Sequence, residues 1–374
     1  MKKLLFLLAG VMMVSAMTAK QPYSGKIKKK DIVKVCNAVT DWQIAHQGEV
    51  KHHPLAWTNG ALYRGVVEWA KMTDNQRYYD FLLDIGRKHD WAMHSRIYHA
   101  DDICVGQTFI ELYRKYGDKA MLQPTLDRAT YVANNPSQAP LMKNDPIGKD
   151  TRWSWCDALF MAPPVYAALY TMTGDEKLLE YMDSEYKLCT DSLYDRDAKL
   201  YYRDNMRIPL REANGAKQFW GRGDGWVFGG IPLIVDNLPE GHPAIPYYIE
   251  IFKEMAPALL ACQDENGAWH ASLLDPDSYP NPENSASAFF AYGYAWGIRN
   301  GILDAETYMP SLEKAWASLC SAVAADGKLG YIQPVGADPR HAGIESTDVY
   351  GVGAFLLAGS ELYQLAGGKI PGAK

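Results

Sequence analysis

Three stretches of this chain repeat one local plan: "WAKMTDNQRYYDFLLDIG" (69–86), "LYRKYGDKAMLQPTLDRA" (112–129) and "LYTMTGDEKLLEYMDSEY" (169–186). Each sets apolar and aromatic residues at helical spacing, breaks them with a tight polar turn, and resumes the same spacing. At Gly174–Asp175 the break carries a glycine suited to a left-handed C-terminal residue and an aspartate suited to cap the next helix. "GALYRGVVEWAKMT" likewise gathers Leu62, Val66, Val67 and Trp69 near one face. A helical hairpin cannot bury its apolar face alone, so the copies must stack, either as an open solenoid or as a closed ring. Long aromatic-rich loops between hairpins favour the ring, with the loops at one end forming a cleft. The expected fold is all-α, a toroid of ten to twelve helices. Short strands are expected in "DSLYDRDAKLYYRD", "DENGAWHASLLDP" and "ADGKLGYIQPVGADP".

The N-terminus follows a different logic. Lys2 and Lys3, the apolar run Leu4–Val14 and the small residues Ser15, Ala16, Thr18 and Ala19 read as a cleaved export signal over 1–19. The apolar run is too short to span a bilayer, so a membrane anchor is not expected. No Gly/Ser-rich linker divides residues 20–374, which are expected to form one catalytic domain. The formal charge is -6, and loss of Lys2 and Lys3 takes it to -8. Such a chain is a poor partner for nucleic acid or anionic lipid, and the basic stretch Lys26–Lys30 reads as a solvated arm. An anionic ligand would have to be met by a few local arginines. The 6 cysteines show no metal or redox spacing and read as scattered buried thiols. With 11 Trp and 24 Tyr, many near loops, a sugar ligand is the class these side chains suit, although many of the rings must also pack the hairpins together.

Three stretches hold candidate chemistry. In "WCDALFMAPP", Asp157 stands among apolar side chains ahead of Pro163, which belongs at the first turn of an inner helix. That places Asp157 at one mouth of the ring, where burial should raise its pKa and suit it to general acid work; the plainer reading is a helix cap or structural ion pair. In "HADDICVGQTFIELY", Asp101 and Asp102 precede a helix start, one as a cap and the other as a possible neighbour of Asp157. In "FWGRGDGWVFGG", glycines alternate with Trp220, Arg222, Asp224 and Trp226, which would let backbone and a guanidinium fork approach a carboxylate. That stretch lacks the G-K-[ST] of a phosphate loop. His89, His94 and His99 are five apart, so one helix would not bring them to one face, and neither a metal nor an organic cofactor is expected.

Together "RWSWCDALFMAPP", "FWGRGDGW", "PENSASAFFAYGYAWGIRNGIL" and "YGVGAFLLAGSELY" resemble the unsaturated glucuronyl and rhamnogalacturonyl hydrolases, glycoside hydrolase families 88 and 105, over nearly the whole chain from Trp57. The resemblance implies an (α/α)6 barrel without metal. It also implies removal of a terminal 4,5-unsaturated uronic acid from oligosaccharides made by polysaccharide lyases, pectin-derived or from another uronate polymer. An aspartate protonates C4 while water adds at C5, so the anomeric carbon is not attacked as in ordinary glycoside hydrolysis. On this resemblance Asp157 is the acid/base, Asp101 its partner, and Trp57, Trp155, Asp102, Arg203, Trp220, Arg222, Asp224 and Trp226 surround the substrate. Three departures stand out: Asp224 where relatives carry an amide, "ENSAS" at 283–287 where they carry "ETSGT", and Arg203 where many carry a histidine. The competing readings are a conventional two-carboxylate glycosidase or a lyase on the same toroid, and a non-catalytic glycan-binding protein.

Overall fold

A computed structural model describes residues 21–142 and 150–371; the expected export signal lies outside the described residues. Within them the chain forms α1 (Lys29–Ala45), α2 (Trp57–Thr73), α3 (Gln76–Lys88), α4 (Gly106–Tyr116), α5 (Gln123–Asn134), α6 (Ala158–Met161), α7 (Pro163–Thr173), α8 (Glu176–Leu193), α9 (Gly221–Val235), α10 (Ile245–Ala261), α11 (Asn284–Arg299), α12 (Ala305–Ser321) and α13 (Val349–Leu365). Apart from the four-residue α6, these are six hairpins, twelve helices, within the ten to twelve the sequence suggests. The repeated turns are built as expected. Gly117 and Gly174 sit at φ 72° and 70°, and Asp118 and Asp175 accept the N–H groups of Ala120 and Lys177. At the first turn Asp74 takes the left-handed conformation itself, at φ 47°, and Asn75 supplies the cap.

One helix of each hairpin faces inward. α2, α4, α7, α9, α11 and α13 pack successively, and α13 returns to α2, which closes the ring. Burial separates the two layers: α9, α11 and α13 are buried almost all round, whereas the outer α3, α5 and α10 bury one stripe. Closure brings backbones together. A Cβ on Gly65 of α2 or Gly353 of α13 would run into the main chain of the facing helix, so both positions require glycine. Every inner helix starts at the same end of the ring. The opposite end holds an ion network in which Arg64 Nη2 lies 2.6 Å from Glu68 Oε1 and Lys71 bridges Glu68 to Glu111.

Among the described residues the strand content is small. β1 (Tyr194–Asp195) pairs antiparallel with β2 (Leu200–Tyr201), inside the first stretch expected to form strands. The other two stretches contribute only single bridges, such as His270 with Pro282 and Val323 with Leu329. All six cysteines are free thiols, five of them buried. No described helix is long and apolar enough to cross a membrane.

Candidate active site

The loops before the inner helices carry the candidate residues. Asp157 stands at the start of α6, and the proline pair follows at the start of α7, as the sequence indicates. The segment is pinned from the side: Cys156 N–H donates to the Arg203 carbonyl at 2.9 Å, and Trp155 bridges to Asp204. This pairing carries the Arg203 side chain over the acid. Its Nε lies 3.3 Å from Asp157 Oδ2, an ion-pair separation, while Nη1 donates to Asp204 Oδ2 at 2.8 Å. The apolar neighbourhood expected around Asp157 therefore contains a guanidinium.

Asp101 and Asp102 lie in a single 3-10 turn, Ala100–Ile103, and Arg96 Nη2 lies 4.0 Å from Asp101 Oδ2 but 2.6 Å from Asp102 Oδ1. Asp102 is 1% exposed and receives Arg96 Nη2 at 2.6 Å, Arg96 N–H at 2.7 Å and His94 Nδ1 at 3.0 Å. Burial alone would raise its pKa, but these hydrogen bonds from Arg96 and His94 hold it below the usual carboxylate range. Asp102 is thus held in a buried ion pair, with both carboxylate oxygens engaged by Arg96 and one also by His94. Asp101 keeps 15% side-chain exposure. Burial first, and then the charge of Asp157, push its pKa up to about 7 against the opposing pull of Arg96 and Arg203. Asp101, the partner aspartate, is thus a carboxyl whose surroundings raise its pKa.

The glycine-rich stretch forms the first turns of α9, and its polar residues point inward. Arg222 is fully buried between the rings of Trp220 and Tyr350, 4.5 and 4.7 Å from their centroids. Its Nη1 and Nη2 donate to the carbonyls of Gln333 and Pro334 at 2.6 and 2.9 Å. The fork expected for a uronate carboxylate is occupied by main chain, so Arg222 fixes the loop beside the site. Asp224 is likewise fully buried. Its Oδ1 accepts Tyr201 N–H at 2.8 Å, and burial pushes its pKa far above the carboxylate range. It touches no open space, and its burial disfavours the ionised form. Trp155, Trp220 and Trp226 are each no more than 2% exposed and pack beneath the site. Of the singled-out tryptophans, Trp57 alone remains half-exposed, its ring 5.3 Å from Tyr350 and 5.8 Å from Trp226.

The structure thus brings Asp101, Asp157, Arg203 and Trp57 together at one mouth and places the remaining candidates behind them. Among the described residues no three His, Cys, Asp or Glu side chains converge as a cation cage.

The glycosyl hydrolase family 88 model matches residues 32–366. The chain belongs to that family. An unsaturated 3S-rhamnoglycuronyl hydrolase of Alteromonas sp. (strain LOR) is 35% identical over 88% of this chain and 85% of its own. A solved glycosyl hydrolase family 88 structure from Bacteroides vulgatus superposes with a TM-score of 0.83 at 31% identity, covering 90% of this chain and 99% of that one. Another, titled a polysaccharide lyase, gives 0.81 at 32% identity over 90% and 97%.

This family 88 glycoside hydrolase also has site residues that sequence reasoning missed. Gln333 is fully buried and acts as a hub: its Oε1 accepts from Trp220 Nε1 at 3.1 Å, and its carbonyl accepts from Arg222 and from Tyr350 Oη at 2.5 Å. Its own N–H donates to Glu283 Oε1 at 3.0 Å, and Glu283 in turn caps α11 through Ser285 and Ala286 N–H. Glu283 opens the departing "ENSAS" stretch, and its capping role depends on the carboxylate and free helix N–H groups rather than on the residues that differ. Asp204 and Arg96 complete the support. Nothing local marks Gln333 or Arg96, because their partners are fixed only by ring closure or by a loop conformation.

Proposed function

We propose that this hydrolase removes a terminal 4-deoxy-4,5-unsaturated uronic acid from lyase-generated oligosaccharides whose next sugar is a rhamnosyl unit. The observation that supports the chemistry is the interacting pair Asp101–Asp157 under Arg203 at the open mouth, with Asp101 pushed up to about 7. With its pKa near 7, Asp101 still carries a proton in about half of the molecules at neutral pH and can supply it to its neighbour. Asp157 passes that proton to C4 of the enol ether as water attacks C5, and then recovers a proton from the same water. The C5 hemiketal opens to a ketone, leaving a hemiacetal at C1. That hemiacetal collapses to an aldehyde and frees the neighbouring sugar as its alcohol.

Arg203, beside the acid, and the converging N-terminal ends of six inner helices favour an anionic ring at the mouth. The rhamnosyl assignment follows the name of the Alteromonas relative. Export, read from the N-terminal signal, belongs to the same proposal, and N-terminal sequencing of mature protein from cell fractions tests it. The lyase reading is the second one, favoured by the neighbour titled that way. One assay separates them. Incubated with lyase-digested ulvan, pectin or glycosaminoglycan oligosaccharides, a hydrolase of this kind consumes the unsaturated-uronide ultraviolet absorbance, whereas a lyase given intact polymer creates it.

A further inference from the structure

A groove of about 370 Å³ lies at the rim of the same mouth, between the end of α1 and the start of α13. None of its residues takes part in the chemistry above. One wall is the half-buried Trp42, with His46 stacked on it at 4.1 Å between centroids and 16° between planes. The His46 Nδ1 lies 2.7 Å from the Trp42 carbonyl, which fixes that nitrogen as a donor and locks the two rings together. The opposite wall is Asp348, whose Oδ1 lies 3.0 Å from His52 Nε2. Val50 adds apolar floor and Lys51 a cation at the edge. Apolar ring surface fringed by a carboxylate, imidazoles and an ammonium matches a pyranose ring, which offers C–H faces and peripheral hydroxyls.

Its position says what would occupy it. The first wall continues along the chain from Val50 to Trp57, and the second from Asp348 to Tyr350. Trp57 and Tyr350 meet at 5.3 Å on the floor of the candidate site. The second wall ends at Val349, one residue before Tyr350, which sets the groove beside the Trp57–Tyr350 pair.

We propose that this groove is a glycan subsite holding the sugars that follow the first one past the scissile bond, with the Trp42–His46 wall stacking on one of them. The proposal rests on the hydrolase reading above. It is tested with unsaturated di- and tetrasaccharides prepared by lyase digestion of ulvan. Wild-type enzyme should show a lower KM for the tetrasaccharide than for the disaccharide. Trp42→Ala should raise the tetrasaccharide KM roughly 3–10-fold, with kcat and disaccharide kinetics unchanged. Trp42→Phe should recover most of the loss, which a general folding defect would not allow. Equal tetrasaccharide KM for wild type and Trp42→Ala would overturn the subsite. If wild-type enzyme turned over neither substrate, the hydrolase reading would fail instead. Calorimetric titration of the tetrasaccharide into wild type and Trp42→Ala then decides the groove alone: weaker binding by the variant supports it, and equal binding rejects it.

Discussion

Replacing Asp101 by asparagine tests the central electrostatic claim without relying on catalysis. In the unfolded chain Asp101 titrates near 3.8, and in the fold near 7, because burial and the Asp157 charge disfavour its ionised form. A carboxyl with a raised folded pKa stabilises the fold relatively at low pH, and that advantage is lost as pH climbs through the folded value. The window is therefore pH 4 to 7. Across it Asp101 should cost the fold about 4 kcal/mol, at ~1.36 kcal/mol per unit of separation. Asparagine keeps the shape and never ionises. Asp101→Asn should match wild type at pH 4 and exceed it at pH 8. With an unfolding entropy of ~2.1 cal/mol/K per residue, 4 kcal/mol corresponds to about 5 °C in Tm for a chain of 374 residues. Differential scanning calorimetry of both proteins from pH 4 to 9 reads the difference directly. Other raised carboxyls, such as Glu361 at about 7, affect both proteins equally and cancel. A Tm difference that does not grow with pH would refute the placement of the proton on this pair.

The remaining predictions are more direct. Asp157→Asn should fold normally and bind the unsaturated oligosaccharide, while kcat drops by ~10²–10⁴-fold in the absorbance assay; near wild-type turnover would remove Asp157 from the mechanism. Asp224→Asn should leave turnover within about twofold and raise Tm slightly at pH above 7, because asparagine removes the ionisation that burial disfavours; a large loss of activity would mean that Asp224 is ionised in catalysis. Arg222→Ala should lower stability by roughly 3–6 kcal/mol, since two hydrogen bonds from a charged donor to the Gln333 and Pro334 carbonyls are lost. Urea unfolding measures this, and an unchanged midpoint with a raised KM would restore Arg222 to direct substrate contact.

The parts of the molecule legible in the sequence are those whose causes are local. The turns at Gly117 and Gly174 need one residue at positive φ and one cap, and both residue types stand adjacent in the chain. Pro163 fixes where α7 starts and so puts Asp157 at the mouth. The ring itself was inferable because apolar hairpins must bury their faces against one another, and the family motifs narrowed the count to six. What was not legible depends on partners distant in sequence or on side-chain direction. Asp101 and Asp102 are adjacent and identical, yet Arg96, six residues earlier, claims one of them. Arg222 looks like a ligand fork in its glycine-rich setting, but its acceptors lie 111 and 112 residues away. Asp157 looked isolated among apolar residues because Arg203 reaches it only through the bridge between Trp155 and Asp204.

The carboxylates around the mouth show how an acidic protein admits an anionic sugar. Asp102 is matched by Arg96 and His94, Asp204 by Arg203, and Glu283 by the N-terminal donors of α11. Burial pushes the Asp224 carboxyl up, away from its ionised form. Each of these carboxylates is compensated where it stands, and the Asp101–Asp157 pair is left as the adjustable charge. While the pair keeps its proton, an approaching uronate meets one negative charge there, with Arg203 beside it. Above pH 7, as Asp101 ionises, it meets two. On the proposed mechanism, losing that proton should act twice, removing the acid that protonates C4 and repelling the substrate carboxylate. On the alkaline side kcat should fall while KM rises, so kcat/KM falls more steeply than kcat. Added salt should flatten the KM component, because screening weakens charge repulsion at a partly open site. Initial rates from pH 6 to 9 at two ionic strengths separate these effects. A KM independent of both pH and salt would show that the pair supplies a proton without controlling access to the site.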